Sequence, residues 1–532
     1  MNVVSVFVIL FISFILLLSD LGGSVFLSFG GSCNSLVDGF VFHWVDSYSS
    51  KLILMLLGCS LMCFSYVFHY MVGEWIVKVK LVLIMISFSG VMLFLVLSGN
   101  FVTSLLFWEY LGLVSFILIL YYGVWESYRG GVITLVSSRF GDVGLFLVVC
   151  YYMSMGGGMS TIMLMLMLWL VVITKSASFP FISWLLEAMR APTPVSSLVH
   201  SSTLVAAGVW FYLNYYELLG CSVISSSLVG DLLLVSGLFS IFVSGVSALL
   251  CNDIKQLVAL STCSNISWVV VMMSLGEVDL ALVQLVVHGL SKCVIFFLVG
   301  DYISSGFGGQ MVNALMVNIV GSLRDFVYVF MLVLGLSGFP FIGLYFSKHL
   351  FLGVLYNVNF CNLVLLLVLY ICVFLSVVYC ARLISLFDGF GVIGVSSIRL
   401  FYRINWFIVM FSWVIGVYYS YSVTVSSVYL FSFGNVLILV MIMLGLMIGV
   451  YLGSNLLVVN WSRWLMGLDV VVVVVEQIVM WLSSLCGIIQ FRWEANVLEL
   501  IGGLMSLFIF RWYFGMIILN LCVVIFLVML VM

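Results

Sequence analysis

The chain has 532 residues, of which 65% are hydrophobic and 7% are charged, with 17 Lys and Arg against 20 Asp and Glu. An average soluble protein is about 25% charged, so this composition excludes a water-soluble globular protein and places most of the chain in lipid. The net charge of −3 and the 5 scattered His provide neither a basic stripe for nucleic acid nor a polybasic segment for anionic lipid headgroups. We therefore expect no nucleic-acid partner.

The cysteines also bound the function. The 13 Cys are odd in number, contain no C-x-x-C pair and lie mostly in apolar runs, which is typical of small core residues. Iron–sulfur and zinc sites require clustered thiolates or histidines, so we expect no metal in this chain. The abundance of Phe, Val, Leu, Gly, Trp and Ser is typical of the biased codons of small organellar genomes, and a bacterial source also fits it.

Apolar windows of about 20 residues predict transmembrane helices. The sequence contains fifteen such windows, at 3–19, 51–71, 80–98, 101–122, 131–152, 161–189, 193–216, 228–250, 254–275, 278–303, 325–351, 360–386, 404–422, 433–453 and 513–532. No cation precedes Lys51, so we expect the first span to be retained rather than removed as a signal peptide. Alternating polar and apolar residues over 24–45 predict a short extracytoplasmic-type hairpin.

Two of these windows are interrupted by proline. The 161–189 window contains Pro180, and the 325–351 window contains Pro340. Breaks of this kind free backbone carbonyls, and transporters place them at ion sites near the middle of the membrane. We therefore predict two broken helices, and their separation of 173 residues, from Lys175 to Lys348, favours an internal repeat of a five-span unit. The four prolines of the chain all lie in or beside these breaks, at positions 180, 192, 194 and 340.

The stretch between residues 453 and 515 carries charges in a Trp-rich apolar background. As a helix, roughly 60 residues would extend about 90 Å, which is too long for one crossing. Asp469, Glu476 and Glu494 fall in one narrow sector of such a helix, which favours a helix lying along the membrane. Two further spans are the competing interpretation, and hydropathy alone does not separate the two.

Charged groups at mid-bilayer cost about 2.5–3.5 kcal/mol on insertion scales, so each needs a partner or a function. Glu109 lies inside an apolar span and has no partner nearby in sequence. Asp142 follows Arg139 by three residues, close enough on a helix for a structural ion pair. Lys175 ends an apolar run, where a lysine snorkelling to the interface is the alternative to a functional role.

Lys292 is the deepest cation of the sequence. It lies roughly midway between Asp279 and Asp301, which mark the two ends of its span. His288 precedes it by one helical turn and shares its face. This position is too deep for a lysine to reach the interface at low cost, so we predict a functional role for Lys292.

His200 and Lys348 complete the set of polar groups in apolar spans. His200 in VSSLVHSSTLV is either functional or a histidine satisfied by a backbone carbonyl, and Lys348 follows the second break with His349 beside it. Buried lysines and carboxylates can titrate near neutrality because burial disfavours their charged forms, and histidine titrates there without help. The shared chemistry of these groups is proton transfer.

At this point the residues match a known family. KSASFPFISWLLEAMRAPTPVSSLVHSSTLVAAGVW (175–210) resembles the signature segment of the antiporter-like subunits of proton-pumping NADH:quinone oxidoreductase (respiratory complex I) and of multisubunit sodium/proton antiporters. FWEYLGLVSFILI, SRFGDVG, NDIKQLVALSTCSNISWVV, HGLSKCVIFFLVGDYI and GFPFIGLYFSKHL also occur in the family's order. The resemblance implies an all-α polytopic membrane protein of about 15 transmembrane helices, with two broken helices in inverted repeats. It also favours the lateral amphipathic helix and a final transmembrane helix after residue 453.

The resemblance further implies roles and segments. Glu109 and Lys175 would be the buried pair, His200 a bridge, and Lys292 with His288 the central group. Lys348 would be the terminal lysine on the exit route. Supporting positions would be Arg139, Asp142, Asp253, Lys255, Pro180 and Pro340. The segments would be N-terminal spans and hairpin (1–79), first repeat (80–250), second repeat (251–390), additional spans (391–453), lateral helix (454–512) and C-terminal anchor (513–532).

Two positions depart from the family pattern. Gln284 stands where the family often has a second histidine, and His349 stands where it has an acidic residue after the terminal lysine. The fifteen predicted spans are also one fewer, at the N-terminal side, than the family's usual sixteen. These departures put the acidic step of the exit route in question and suggest a coupling route with fewer titratable steps.

The expected function follows from the resemblance. It implies a membrane-arm subunit of complex I in the mitochondrial inner membrane that translocates protons, coupled to quinone reduction elsewhere. Its partners would be other membrane-arm subunits, especially the adjacent antiporter-like subunit, and membrane lipids. NADH, FMN, iron–sulfur clusters and ubiquinone would bind other subunits, so we expect no redox cofactor here. The alternative is a subunit of a multisubunit cation/proton antiporter, while a purely structural anchor does not explain Lys292.

Overall fold

The fold is that of a computed structural model, which describes most of the predicted spans. The described residues are 26–29, 40–43, 47–71, 75–153, 161–219, 223–305, 310, 323–340, 342–357, 363–387, 408–410, 412–414, 416–417, 433–454 and 477–487. The predicted spans 3–19 and 513–532 lie outside them, as does the predicted lateral helix except for 477–487.

The polar and apolar alternation near the N-terminus forms a hairpin, as predicted. Strands β1 (Phe26–Phe29) and β2 (Phe40–His43) pair antiparallel, with Phe26 opposite His43 and Phe29 opposite Phe40. The other regular elements of the described chain are helices.

The helices follow the predicted windows closely. In chain order they are α1 (Ser47–Tyr70), α2 (Trp75–Val96), α3 (Phe101–Ile119), α4 (Trp125–Met153), α5 (Thr161–Lys175), α6 (Ser183–Glu187), α7 (Thr193–Leu198), α8 (Leu204–Leu219), α9 (Val223–Leu250), α10 (Ile254–Ser274), α11 (Val278–Ser305), α12 (Leu323–Ser337), α13 (Tyr345–Asn357), α14 (Leu363–Phe387), α15 (Phe433–Ser454) and α16 (Gln477–Gly487). Among the described residues, eight helices are long and apolar enough to cross a membrane. The 404–422 window is described only as short helical pieces within 408–417.

Both predicted breaks are present. The first interrupts the chain between α5 and α6, with Pro180 in the intervening turn, and Ala177 there adopts a positive φ of 54°. The second separates α12 from α13, with Pro340 in the turn and Gly338 at φ 89°. Such backbone is tolerated inside a membrane protein only where neighbouring groups satisfy the freed carbonyls.

One irregularity was not predicted. Between α7 and α8 the chain forms a π-helical turn, Val199–Thr203, which contains His200. A π turn adds one residue to a helix and is frequently found at functional sites. The interrupted helix α7–α8 therefore presents His200 at a point where the regular helical register changes.

Helices α10 and α11 form the centre of the bundle. In their most apolar windows, 94% of α10 and 89% of α11 are buried, against 33% for α2. The peripheral helices keep outward apolar faces, with exposed side chains such as Leu83 on α2 and Val143 on α4. An apolar outer surface around a polar-containing centre is the arrangement expected of a membrane protein, because lipid solvates the apolar face.

The two ends of the bundle differ in charge. Contacts place the C-terminal ends of α1, α9, α11 and α14 at one end, together with the N-terminal ends of α2, α4 and α10. In the described part of the chain, the cations at this end include Lys78, Lys80, Arg129, Arg190, Lys255 and Arg382. Lys51 lies at the other end, bound to Asp279. The positive-inside rule therefore assigns the cation-rich end to the inner side of the membrane, and we call it the inner end.

The chain divides into two compact units, Met1–Leu468 and Asp469–Met532. The first contains the hairpin and helices α1 to α15. In the second unit, the described part is α16, whose apolar side chains, including Trp481, are largely exposed. The finer division of the chain into two repeats and additional spans stays a prediction.

Candidate functional site

Four charged side chains meet between α3, α4 and α5. Arg139 Nη1 lies 2.6 Å from Glu109 Oε2 and 3.3 Å from Asp142 Oδ2. Trp108 Nε1 donates to Asp142 Oδ1 at 2.9 Å, and the Lys175 ammonium lies 5.1 Å from the centre of the Trp108 ring. Glu109 is thus hydrogen-bonded to Arg139, whereas its interaction with Lys175, the pairing that the resemblance implies, is electrostatic. The predicted Arg139–Asp142 pair is present.

We call this group the four-charge cluster, defined by Glu109, Arg139, Asp142 and Lys175. Lys175 is buried, with 2% of its surface exposed. Its ammonium interacts electrostatically with the Asp142 carboxylate and, less strongly, with that of Glu109. The interpretation of Lys175 as a lysine snorkelling to the interface is therefore wrong. With two cations and two carboxylates the cluster is formally neutral, which is how a membrane interior tolerates ionised groups.

A small cavity connects Lys175 with His200. Its volume is about 20 Å³, and about 10–15 Å³ of such volume is enough for one water molecule. Its polar lining includes the side chains of Ser115, Thr134 and Thr174 as well as the two titratable groups. A buried water needs two to four polar partners, and these lining residues are the candidates for them.

His200 is completely buried in the π turn. The backbone of Ala188 lies near its ring, but within the described residues neither ring nitrogen makes a hydrogen bond. The alternative of a histidine satisfied by a backbone carbonyl therefore stays open, with Ala188 as the carbonyl concerned. Lys255, at the start of α10, interacts electrostatically with His200 and donates to the Ala191 carbonyl.

Lys292 occupies the centre of the bundle. It is 2% exposed, and its ammonium donates to Ser261 Oγ and, at 3.3 Å, to the Val258 carbonyl. His288 lies one turn earlier on α11, fully buried, and within the described residues its ring nitrogens have no hydrogen-bond partner. In the same part of the chain no carboxylate forms an ion pair with Lys292.

Lys348 lies at the second break, 3% exposed. It donates to the Ser337 carbonyl at 3.3 Å, to Ser376 Oγ at 3.4 Å and to the Leu336 carbonyl at 3.5 Å. Its ammonium also lies 5.7 Å from the centre of the Trp268 ring. The break thus frees carbonyls at the C-terminus of α12, and the ammonium of Lys348 on α13 donates hydrogen bonds to them.

Gln284 lies on α11, the helix of Lys292, and contacts the residue that precedes Lys348. It is fully buried, its Nε2 lies 3.5 Å from the Asn265 carbonyl, and Ser347 Oγ donates to its Oε1 at 3.1 Å. Ser347 is the neighbour of Lys348 in sequence. An amide at this position holds α10, α11 and α13 together without titrating.

His349 and the remaining predicted positions have local roles. His349 is half-buried and stacks on Tyr345 with ring centres 4.9 Å apart. Asp253 is the N-cap residue of α10. In the first break, Trp184 Nε1 donates to the Thr174 carbonyl at 2.9 Å, which satisfies one carbonyl freed before Pro180.

Sequence reasoning overlooked two buried charges at the inner end. Arg382 on α14 is 2% exposed and donates to the carbonyls of Ala248, at 2.9 Å, and Leu249 at the end of α9. Asp301 is 5% exposed and accepts from the Tyr66 hydroxyl at 2.9 Å. The available signal was the presence of each charge within an apolar window, 278–303 for Asp301 and 360–386 for Arg382; on sequence alone, Asp301 serves only to mark the end of its span.

Comparisons with a family model and with individual relatives indicate the same protein family. The sequence model of the NADH:quinone oxidoreductase/Mrp antiporter transmembrane family matches residues 98–374. Two relatives named NADH-ubiquinone oxidoreductase chain 5 are similar to this chain. The one from Anopheles gambiae is 33% identical over 66% of this chain and 61% of its own length. The one from Locusta migratoria is 31% identical over 81% of this chain and 70% of its own length.

A solved structure shares the fold. The Mrp complex from Dietzia sp. DQ12-45-1b superposes with a TM-score of 0.70 at 19% identity, over 94% of this chain and 59% of that chain. At this identity the likeness concerns the fold alone. The family match covers more than half of the chain and includes all four residues of the four-charge cluster, His200, Lys292 and Lys348. The chain therefore belongs to the NADH:quinone oxidoreductase/Mrp antiporter membrane family.

Proposed function

We propose that this chain is a membrane-arm subunit of NADH:ubiquinone oxidoreductase that moves protons across the mitochondrial inner membrane. The relatives from Anopheles gambiae and Locusta migratoria carry the name of chain 5 of that enzyme. The matched region spans 61% of the first relative's length, so the activity is inferred for this chain from its own residues as well as from the family.

The observation that carries the proposal is the environment of Lys292. Its recorded hydrogen-bond acceptors, Ser261 and the Val258 carbonyl, are neutral. A buried lysine beside a carboxylate is held in its charged form, whereas neutral oxygens accept from an ammonium and from an amine alike. Lys292 can therefore bind and release a proton without breaking an ion pair, which is the property required of a central relay group.

The flanking groups extend this relay in both directions. On one side, the cavity between Lys175 and His200 has room for a water that would carry a proton between them. On the other side, His288, Lys292 and Lys348 lie within electrostatic reach of one another. Adding a proton to any one of them therefore changes the affinity of the next for its proton. Glu109 would act through Arg139, as the outermost carboxylate of the four-charge cluster.

The four-charge cluster also supports an adjacent subunit as partner. The Arg139 side chain is 47% exposed although it lies in the middle of the α4 span. Exposure of a guanidinium to lipid at that depth costs about 2.5–3.5 kcal/mol on insertion scales. We propose that the neighbouring antiporter-like subunit covers this face and supplies polar groups to Arg139.

The redox steps would take place outside this chain. We propose that NADH, FMN, iron–sulfur clusters and ubiquinone bind other subunits, and that this chain receives only a change in charge at the four-charge cluster. The alternative function, a subunit of a multisubunit cation/proton antiporter, is favoured by the fold shared with the Mrp complex. The two differ in the driving reaction, NADH oxidation or a cation gradient.

The experiment has two steps. First, the chain is purified in mild detergent, and we expect it to travel with a large NADH-oxidising assembly; its isolation with an assembly that exchanges cations for protons would favour the alternative. Second, the assembly is reconstituted into liposomes with Lys292→Met. We expect fewer protons translocated per NADH, because the Met side chain cannot carry a proton. Lys80→Met, the same change at an exposed position of α2, is the matched control and should leave that ratio unchanged.

A further inference from the structure

A second group of titratable side chains, formed by Asp301, Tyr66 and His69, lies at the inner end, where α1 and α11 end. The Asp301 carboxylate accepts from the Tyr66 hydroxyl at 2.9 Å, and His69 Nδ1 lies 3.7 Å from the same oxygen. Tyr66 also donates to the Phe297 carbonyl at 3.0 Å. Exposure falls steadily along this group, from 32% for His69 to 5% for Asp301 and 0% for Tyr66. The group therefore leads from the surface into the bundle.

The other end of the same two helices provides a comparison. There, Lys51 on α1 pairs with Asp279 on α11 at 2.7 Å, and the Asp279 side chain is 43% exposed. That pair is an ordinary surface link between parallel helices. At the inner end the carboxylate is buried instead, and its partners are an imidazole and a phenol, which can both donate and accept hydrogen bonds. A group that only joined the helices would not require this chemistry.

Hydroxyl groups continue inward from Tyr66. A Cβ on Gly300 would collide with the Tyr66 hydroxyl and would lie 2.6 Å from Thr193 Oγ1, so the two hydroxyls meet above this glycine. Thr193 is 2% exposed, and its Oγ1 makes no hydrogen bond that meets ordinary geometry within the described residues. A buried hydroxyl without a full hydrogen bond is costly, and it is available to receive a proton or a water.

The next turns of the same helices carry further exchangeable protons. Ser197 Oγ lies 3.1 Å from Cys63 Sγ, and Ser201 Oγ lies 3.1 Å from Cys293 Sγ. Hydroxyls and thiols both donate and accept hydrogen bonds, so each can receive a proton on one side and give one up on the other. This seam between α1, α7, the π turn and α11 ends at Ser201 and Cys293, the sequence neighbours of His200 and Lys292.

We propose that Asp301 is the group through which the relay takes up protons from the inner side of the membrane. The His69 imidazolium gives its proton to the Asp301 carboxylate and becomes neutral. The carboxylic acid then gives its proton to the Tyr66 oxygen as the phenol proton passes to the Thr193 hydroxyl and the Thr193 proton passes to a water, so Tyr66 and Thr193 end neutral and the water carries the charge inward. The inference rests on the proposed function. In the described part of the chain, the titratable and hydroxyl groups that face Asp301 or Tyr66 include His69 and Tyr70 from α1 and Thr193 from α7.

The test uses the whole assembly in liposomes, with its inner side accessible. We expect Asp301→Asn to lower the number of protons taken up per NADH to the value of the Lys292→Met variant. Asp279→Asn, the same substitution at the other end of α11, is the control and should not change that ratio. If Asp301→Asn takes up protons normally while Lys292→Met does not, Asp301 is not the entry group. If neither variant has an effect, the proposed function itself is wrong.

Two further variants test the proposal if the Asp301→Asn chain does not assemble into the complex. Tyr66→Phe removes one oxygen and keeps the ring stacked on Phe297 at 4.3 Å, so it should assemble and still lose proton uptake. Asp301→Glu should restore uptake in part. Infrared difference spectra of the working assembly should contain a carboxylic C=O band that Asp301→Asn removes. A purely structural Asp301 would show no such band, and Tyr66→Phe would then pump normally.

Discussion

Replacing Arg139 by Gln tests whether charge balance holds α3, α4 and α5 together. The change removes one of two cations from the four-charge cluster and leaves it with a formal charge of −1. Glu109 loses its partner at 2.6 Å, whereas Asp142 keeps the Trp108 hydrogen bond at 2.9 Å. The uncompensated group is therefore Glu109, which lies in the middle of the α3 span.

The magnitude follows from the degree of burial. Removing one partner of a buried ion pair costs about 3–5 kcal/mol. Because the Arg139 side chain is half-exposed, we expect a loss of stability at the lower limit, about 3 kcal/mol. That corresponds to roughly a hundredfold loss in the ratio of folded to unfolded chain. Adding Glu109→Gln restores neutrality, and two amides can hydrogen-bond to each other. The double variant should therefore recover about 2 kcal/mol of the loss.

The assay measures unfolding of the purified chain in mild detergent, with intrinsic tryptophan fluorescence as the signal. Trp108, which lies at the cluster itself, contributes to that signal. Yield of the assembled complex on native gels gives a second measure. Arg129→Gln, at an exposed position on the same helix, is the control and should change stability by less than about 0.5 kcal/mol. A double variant as unstable as the sum of its two single changes would refute the charge-balance argument.

Two further substitutions probe the breaks. Gly208→Ala places a Cβ 2.9 Å from the backbone nitrogen of Ser176, so we expect a loss of about 1–3 kcal/mol in unfolding experiments; an unchanged unfolding midpoint would show that the break can move aside. Lys348→Met should abolish proton translocation while the complex still assembles, because Ser376 continues to donate to the Ser337 carbonyl at 3.1 Å; normal proton translocation in liposomes would exclude Lys348 from the relay.

Hydropathy predicted the fold well where the membrane alone determines it. The window 254–275 corresponds to the helix Ile254–Ser274, and proline correctly indicated both breaks. The π turn around His200 was not predicted, because adding a single residue changes neither the composition nor the length of an apolar window appreciably.

The site was predictable in its residue types and less so in its contacts. The depth of Lys292 followed from its position between Asp279 and Asp301. The partner of Glu109 did not, because Arg139 lies 30 residues away on the next helix, and spacing arguments detect only neighbours on one helix. The hydrogen bond from Arg382 to the Ala248 carbonyl, which joins residues 134 positions apart, could not be predicted from spacing for the same reason.

The four-charge cluster also bears on how the chain enters the bilayer during synthesis. Glu109 and Arg139 lie on α3 and α4, which are consecutive in the chain. A hairpin of these two helices carries its own ion pair and avoids part of the insertion cost of isolated charges. The carboxylate of Asp142 remains in surplus until the next helix brings Lys175. The order in which the helices leave the insertion machinery therefore matches the order in which their charges are neutralised.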